Sequence, residues 1–295
     1  MLDIVIILYN PELSIVYANI EKVLRCKFVS KIICVDNSSD PDFNFSKLNE
    51  KVHYIPLNDN FGIAHAQNIG IQESLVNKAS KAVVLFDQDS ILEESLLNSL
   101  FSDYLQLEQL FGDKLAAVGP KIIDSFSGKA DLSVKDICAS QAIEGKYIKK
   151  REIIASGKVI NKNALADIGL METGLFIDGV DHEWCWRANN MGYLIYMSNN
   201  SVMTHTVGDA RINLKLVNLR VASPIRMYYQ FRNFIVLLPR GYVPLYWKVR
   251  NIIGYFGKFF VFGFFSKDRQ LRRKFMLKGL KDGLMRKMGK IGGDA

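Results

Sequence analysis

The sequence predicts an α/β fold built on a mainly parallel sheet with helices on both faces. Three observations carry that expectation. Strand and helix patterns alternate through the first 90 residues. The strand candidates are continuous apolar runs rather than alternating ones, as in sheets covered on both sides. Acidic residues also fall where these runs stop, the edge at which open α/β sheets bind ligands.

Ile4–Tyr9 reads as the first strand, followed by the turn Asn10-Pro11-Glu12 and a helical stretch to about Leu24. Lys31–Val35 is a second strand, ending in Asp36-Asn37-Ser38-Ser39-Asp40, and Val52–Leu57 is a third. A helix is predicted from Gly62 to Lys78, and Ala82–Phe86 is the fourth strand. Leu96, Leu100, Tyr104, Leu107 and Phe111 then recur at the three- and four-residue spacing of one helix face. Residues 116–156 are mixed, with shorter strands and several turns. Helices follow over Asn163–Met171, ending at Gly169, and over Asp181–Met191, capped by Asp and stopped near Gly192. Tyr193–Met197 and Ser201–Thr206 are short strands. Near residue 210 aromatic and basic residues begin to dominate. Two units are therefore expected, 1–210 and a helical C-terminal region over 211–295.

The charge divides at a similar place. The chain has a net charge of +8, yet residues 240–295 hold 14 Lys and Arg against Asp268, Asp282 and Asp294, which leaves −3 for residues 1–239. Four scattered cysteines form no C-x-x-C pair, so neither a zinc site nor a disulfide scaffold is expected. No basic leader precedes an apolar segment, and no run of 18 apolar residues marks a span. A reducing cytoplasmic setting is expected.

Asp87-Gln88-Asp89-Ser90 is the most informative stretch. Two carboxylates one residue apart at a strand end suit a hard divalent cation that also takes phosphate oxygens. Solvated turn acids are the competing reading. Asp3 and Asp36 also flank strands, and an acid after a strand can hold a base or ribose. Asn58 to Gly70 places small residues at a helix start, where polar or anionic ligand groups are favoured. This segment matches neither G-x-G-x-x-G nor a P-loop. In Asp178-Gly179-Val180-Asp181-His182-Glu183-Trp184-Cys185-Trp186-Arg187, one acid could face a cleft and take a proton from a hydroxyl. A helix-terminal acid is the alternative.

Taken in order, I-x-Y-N-P, V-D-N-S-S-D, N-x-G-x-A-x-A-x-N-x-G, strand-D-Q-D-S and F-I-D-x-V-D-x-E-W-C-x-R resemble the inverting family 2 glycosyltransferases of the GT-A fold. The likeness is nearest to bacterial rhamnosyltransferases that build cell-surface polysaccharides, and it covers roughly residues 1–235. The resemblance implies a Rossmann-like GT-A sheet and a set of roles. Asp36 would hold the nucleotide base, with Asn60 and Gly62 against the nucleoside. Asp87 would contact ribose or metal-bound groups. Asp89 and His205 would bind Mg²⁺ or Mn²⁺ at the diphosphate. Asp181 would be the general base, and Glu183, Trp184 and Arg187 would complete the substrate-binding set. The motif reads D-Q-D, one carboxylate fewer than D-D-D, so direct binding of metal by Asp87 stays open.

Residues 224–265 are rich in aromatics, and basic residues interleave and follow. Such a segment suits an anionic membrane surface, or its aromatics pack on the catalytic body. Arg226 and Arg232 could meet acceptor phosphates or serve in structural ion pairs. The expected function is metal-dependent transfer of a sugar, L-rhamnose from dTDP-L-rhamnose, to a lipid-diphosphate-linked saccharide in O-antigen or other surface-polysaccharide synthesis. The expected place is the cytoplasmic face of the inner membrane. Alternatives are a UDP-sugar donor (galactose, galactofuranose or N-acetylglucosamine) or a non-catalytic nucleotide-sugar-binding scaffold. No nucleic-acid partner is expected, since no motif for one is visible.

Overall fold

The computed structural model describes residues 1–292 except 42, 125–127, 129–141, 144, 206–209 and 215–216, with backbone alone at 46, 142, 205, 210–214 and 217–221. Cys138 lies outside the described residues.

Four strands form the N-terminal half of the sheet: β1 (Leu2–Leu8), β2 (Val29–Asp36), β3 (Val52–Pro56) and β4 (Ala82–Asp87). They pair in parallel in the order β3-β2-β1-β4. Their side chains alternate between two cores. Ile4, Ile6, Ile32, Cys34, Val84 and Phe86 enter one core, which includes residues of α1 (Leu13–Leu24) and α3 (Glu94–Phe111). Val5, Ile7, Ile33, Val35, Val83 and Leu85 enter the other, beneath α2 (Ile63–Val76), α4 (Ala164–Ile168) and α5 (Val180–Asn190). Both faces are covered, which is why the strands read as unbroken apolar runs. At Gly70 of α2, an added Cβ would lie 2.3 Å from Val5 Cγ1, so glycine permits the close approach of this helix to β1. The predicted stripe of α3 is buried at Leu96, Leu100, Tyr104 and Leu107.

The remainder of the sheet adds short antiparallel pairings to ladders that are mostly parallel. β8 (Lys158–Asn161) runs antiparallel to both β4 and β5 (Leu115–Asp124). β5 is parallel to β9 (Leu194–His205), and β7 (Tyr147–Lys149) and β6 (Ala142–Ile143) close that side antiparallel. The two strands expected at Tyr193–Met197 and Ser201–Thr206 are one, with a register irregularity between its pairings at Ser198 and Val202. The cap of α5 is also corrected. Gly179 holds that position at φ 86° with no side-chain cap.

A hairpin, β10 (Ala210–Leu214) and β11 (Val217–Val221), precedes three helices: α6 (Pro224–Leu237), α7 (Leu245–Phe264) and α8 (Arg269–Leu284). Buried Arg232 of α6 donates to the carbonyls of Gly174, Leu175 and Gly289. Asn233 donates to Leu175, Ile177 and Asp178. α6 thereby holds the loop that leads into α5. Arg232 takes the structural role rather than a phosphate contact.

Candidate active site

The carboxyl ends of β1, β2 and β4 converge on one edge of the sheet. In register, Leu8 lies beside Asp36 and Ile7 beside Asp87. Asp3 sits four residues earlier in β1, at the opposite end, buried and bonded by Ser74, Asn77, Ser80 and Lys162. It is a structural acid, remote from the edge.

Asp36 is buried. Its Oδ1 accepts the Ser38 N–H at 3.0 Å and its Oδ2 accepts the Tyr54 hydroxyl at 2.7 Å. Burial, then the bond to Asp36, pushes the Tyr54 phenol well above its usual range. Asn37 Nδ2 donates to Asn60 Oδ1 at 3.1 Å, and Asn37 Oδ1 accepts the Phe61 N–H at 2.9 Å. Asn60 Oδ1 also accepts the Gly62 N–H at 3.0 Å. The V-D-N-S-S-D and N-x-G segments are thus stitched into one loop cluster. Gly62 has φ 86°, and a Cβ there would come 2.6 Å from Phe176 Cδ2 and from the Phe176 carbonyl oxygen. Only glycine meets both demands. Asn68, from the same motif, clamps the backbone of Met171 in both directions at 2.8 Å. Beside the cluster a cleft of about 450 Å³ is lined by Asn60, Phe61, His65, Thr173, Gly174 and Lys290, among others.

Asp87, half-buried, and exposed Asp89 follow β4. Burial and the neighbouring charges of Asp181 and Asp89 push the Asp87 carboxyl from 3.8 up to about 7, against the pull of Arg226 and Lys158. The structure therefore brings Asp87, Asp89 and Asp181 together at the edge. Asp181 occupies the first turn of α5, and its Oδ2 accepts the Ala155 N–H at 3.0 Å. β9 runs in the same direction as β4 through the β8–β5 pairings, so His205 is delivered to the edge that carries Asp87. Its side chain lies outside the described residues.

Glu183, Trp184 and Arg187 turn away from this edge, because successive helical residues rotate about 100°. Glu183 is 1% exposed and accepts from Arg187 and from the Tyr242 hydroxyl. Trp184 is 0% exposed and donates to the Gly169 carbonyl. Arg187 also donates to the carbonyls of Ile168 and Leu170, at the end of α4. Their polar atoms are engaged inside the protein, so the expected substrate contact is corrected to a scaffolding role for all three.

Several site residues were not singled out from the sequence. Ala155, Ser156 and Gly157 form a turn that ties three site segments together. Ala155 holds Asp181, the Ser156 hydroxyl lies 2.5 Å from that of Ser90, and the Gly157 N–H bonds the Leu85 carbonyl at 2.8 Å. Lys158, next in the chain, is fully buried. Its Nζ has no hydrogen-bond partner among the described residues and lies 5.5 Å from the centre of the Trp184 ring. A lysine opening the apolar run K-V-I-N was the available signal. Arg226, which the sequence left between an acceptor phosphate and an ion pair, forks onto Asp178, with Nε to both carboxylate oxygens at 3.0–3.1 Å. Phe176 and Asp178 sit at φ 64° and 65°, backbone strain of the kind found at functional sites.

The donor set can be tested against a divalent cation. Among the described residues no three His, Cys, Asp or Glu side chains form a protein-only cage. Neither the Asp87 nor the Asp89 carboxylate accepts a hydrogen bond among the described residues. Two mutually repelling carboxylates with open lone pairs fit a hard cation whose remaining ligands are phosphate oxygens and water.

Comparison with known proteins places this geometry. Residues 3–112 match the family described as Glycosyl transferase family 2. The dTDP-rhamnosyl transferase RfbF of Shigella flexneri is 34% identical over 256 residues, covering 84% of this chain and 83% of that one. A crystal structure of GalNAc-T7 with UDP, GalNAc and Mn²⁺ has a TM-score of 0.59 at 13% identity, covering 97% of this chain and 56% of that one. S. aureus TarS has a TM-score of 0.59 at 14% identity, covering 96% and 48%. The chain thus spans about half the length of those two solved proteins, and likeness at such identity speaks for the fold alone. The fold is that of the GT-A glycosyltransferases, an α/β sheet with an acidic carboxyl edge. The chain belongs to glycosyl transferase family 2, and it is a glycosyltransferase.

Proposed function

We propose that the protein transfers L-rhamnose from dTDP-L-rhamnose to a saccharide acceptor by direct, inverting displacement. The observation that carries this reading is the placement of Asp181 beside Asp87 and Asp89 at one edge. The 34% identity to a dTDP-rhamnosyl transferase supports the choice of donor.

Asp181 is the base. The Ala155 N–H fixes Oδ2, which leaves Oδ1 to take the proton of the attacking hydroxyl. Proton transfer to a positioned carboxylate contributes about 10²–10⁴-fold. Asp36 and the Asn60–Gly62 loop receive the nucleoside. Asp89, with Asp87 beside it, would hold Mg²⁺ or Mn²⁺, and His205 is delivered to the same edge. When bound, the cation supplies charge stabilisation to the leaving diphosphate. Attack from the face opposite the leaving group needs no covalent enzyme intermediate. Asp87 keeps the diphosphate from approaching without a counter-charge.

The acceptor is a lipid-diphosphate-linked saccharide in O-antigen or other surface-polysaccharide assembly, met at the cytoplasmic face of the inner membrane. The exposed apolar side of α7 supports a peripheral attachment, with Phe256 78% and Ile253 71% exposed. Among the described residues no helix is long and apolar enough to cross a membrane.

The test is binding and hydrolysis of a panel of nucleotide sugars with Mn²⁺, Mg²⁺ or EDTA. Metal-dependent binding of dTDP-L-rhamnose alone is expected. Preference for a UDP-sugar overturns the donor, metal-dependent binding with neither hydrolysis nor transfer favours the non-catalytic scaffold, and binding of none with metal present overturns the donor site itself.

A further inference from the structure

A second cleft lies apart from the acidic edge, at the foot of α7. It has a volume of about 620 Å³, and its lining includes Lys149, Lys150, Arg151, Trp186, Tyr242 and Lys248. Three of its four cations come from the end of β7 and the two residues after it, far in sequence from the basic tail. The fourth stands in the first turn of α7. Glu152 is the neighbouring acid in sequence, and both its oxygens are taken. Trp186 Nε1 donates to Oε2 at 2.9 Å and the Tyr246 hydroxyl donates to Oε1 at 2.5 Å. The Arg151 guanidinium lies 5.1 Å from the centre of the Tyr246 ring. Glu152 thus fixes the aromatic wall, and its single negative charge against Lys149, Arg151 and Lys248 leaves the cleft net positive.

The apolar face of α7 starts at the same place. Leu245 lines the cleft and is 74% exposed. Val249, Ile252, Ile253, Phe256, Phe260 and Phe264 continue from it at helical spacing, all exposed. Tyr255, Phe259 and Phe262, on the other side, pack on Met227, Phe231 and Met276. The exposed stripe runs the length of a 20-residue helix, about 30 Å at the usual rise. At its far end a further group of cations gathers: Lys267, Arg269 and Lys274, with Asp268.

We propose that this cleft seats the phosphate of an anionic membrane phospholipid, whose acyl chains run along the exposed face of α7. The inference rests on the membrane reading above and gives it a headgroup site. Charge complementarity selects this occupant. An apolar stripe bracketed by cations matches an anionic leaflet, with α7 lying flat in the interface. A second copy of the chain does not suit it. Both ends of the stripe are basic, so pairing two stripes in either direction sets like charges together. Lys248, Arg250 and Lys258 within α7 also suit a helix in the interface.

The experiment is co-sedimentation of the full chain with phosphatidylcholine vesicles and with mixed phosphatidylcholine/phosphatidylglycerol vesicles. Wild type is compared with Lys149→Ala/Arg151→Ala, with the conservative Lys149→Arg/Arg151→Lys, and with Lys78→Ala/Lys81→Ala, which removes equal charge near the start of β4. Thermal unfolding and donor hydrolysis check that each variant is folded. The mixed vesicles are expected to bind wild type tightly. The Lys149/Arg151 alanine pair is expected to lower that binding by roughly thirtyfold, about fivefold per lost cation. The conservative pair and the Lys78/Lys81 pair are expected to stay close to wild type. Equal losses in the two alanine pairs would mean a diffuse field and overturn the site. So would displacement by millimolar inorganic phosphate, which would make the ligand a free anion. Wild type binding both vesicles alike overturns the headgroup site and leaves the membrane reading standing. Wild type binding neither overturns both.

Discussion

The side-chain amide of Gln88 closes on the backbone of Tyr9 from both sides. Its Oε1 accepts the Tyr9 N–H at 2.6 Å and its Nε2 donates to the Tyr9 carbonyl at 3.0 Å. The middle residue of D-Q-D is therefore a splint between the ends of β1 and β4. A carboxylate at that position could not donate to the carbonyl. Gln88→Glu is expected to lose one hydrogen bond and set two acceptors face to face, a cost of about 0.5–1.5 kcal/mol at this exposed position. Donor affinity measured by calorimetry should fall roughly tenfold, with a lower Tm. Unchanged affinity would mean that the splint does not shape the donor site.

Asp181→Asn keeps the acceptor of the Ala155 N–H but cannot take a proton. Turnover is expected to fall by about 10²–10⁴-fold, while titration shows donor binding within a few fold of wild type. A variant with near-normal turnover would sink the base assignment.

Asp89→Ala is expected to abolish the difference in donor affinity between Mn²⁺ and EDTA. Asp89 is exposed and accepts no hydrogen bond among the described residues. Its removal should therefore leave the Tm of the protein alone nearly unchanged. A large loss of Tm would point to a structural role instead.

Asp87 makes a pH-dependent prediction. Burial and two neighbouring carboxylates raise it from 3.8 to about 7. An acid whose folded pKa is raised opposes folding when ionised. The penalty is fully present above pH 7, shrinks as pH falls, and is gone below 3.8. Asp87→Asn should therefore raise the Tm of the metal-free protein at pH 8 by a few degrees and leave it unchanged near pH 3.5. Stability gained at a site and lost in activity is a familiar trade. Equal Tm shifts at both pH values would exclude this origin.

Gly62→Ala places a Cβ 2.6 Å from the Phe176 backbone oxygen, in a left-handed conformation. The cost should exceed the roughly 1 kcal/mol of an ordinary glycine effect. Phe176 leads into α5, so the strain should reach Asp181. Both Tm and kcat are expected to fall, and a stable, fully active variant would show that the loop yields freely.

Much of the catalytic edge was legible because it is local. Unbroken apolar runs such as A-V-V-L-F announce doubly covered strands, and the acids that end them mark a ligand edge. Periodicity located α3, and the stops at Gly169 and Gly192 located the ends of α4 and α5 closely. What periodicity could not supply was direction. Nothing local says that β8 runs against β4 and β5, since reversal depends on where a loop returns the chain. Nor could motif membership separate the faces of α5. Asp181 meets Asp87 and Asp89, whereas Glu183, Trp184 and Arg187, in the same motif, point inward to Tyr242, Gly169 and the end of α4.

The sequence by itself determined the strand cores, the acidic edge, the small residues of the helix start over 58–70 and the amphipathic character of the tail. Each follows from the covalent properties of neighbouring residues: apolarity, charge and backbone freedom. Tertiary structure alone decided which acids share a site, that Ala155 and Ser156 hold them there, that Lys158 is buried behind them, and that Lys149 and Arg151 meet the start of α7. Those relationships join residues 26 to about 100 positions apart. Chain packing sets such distances, and no local pattern encodes them.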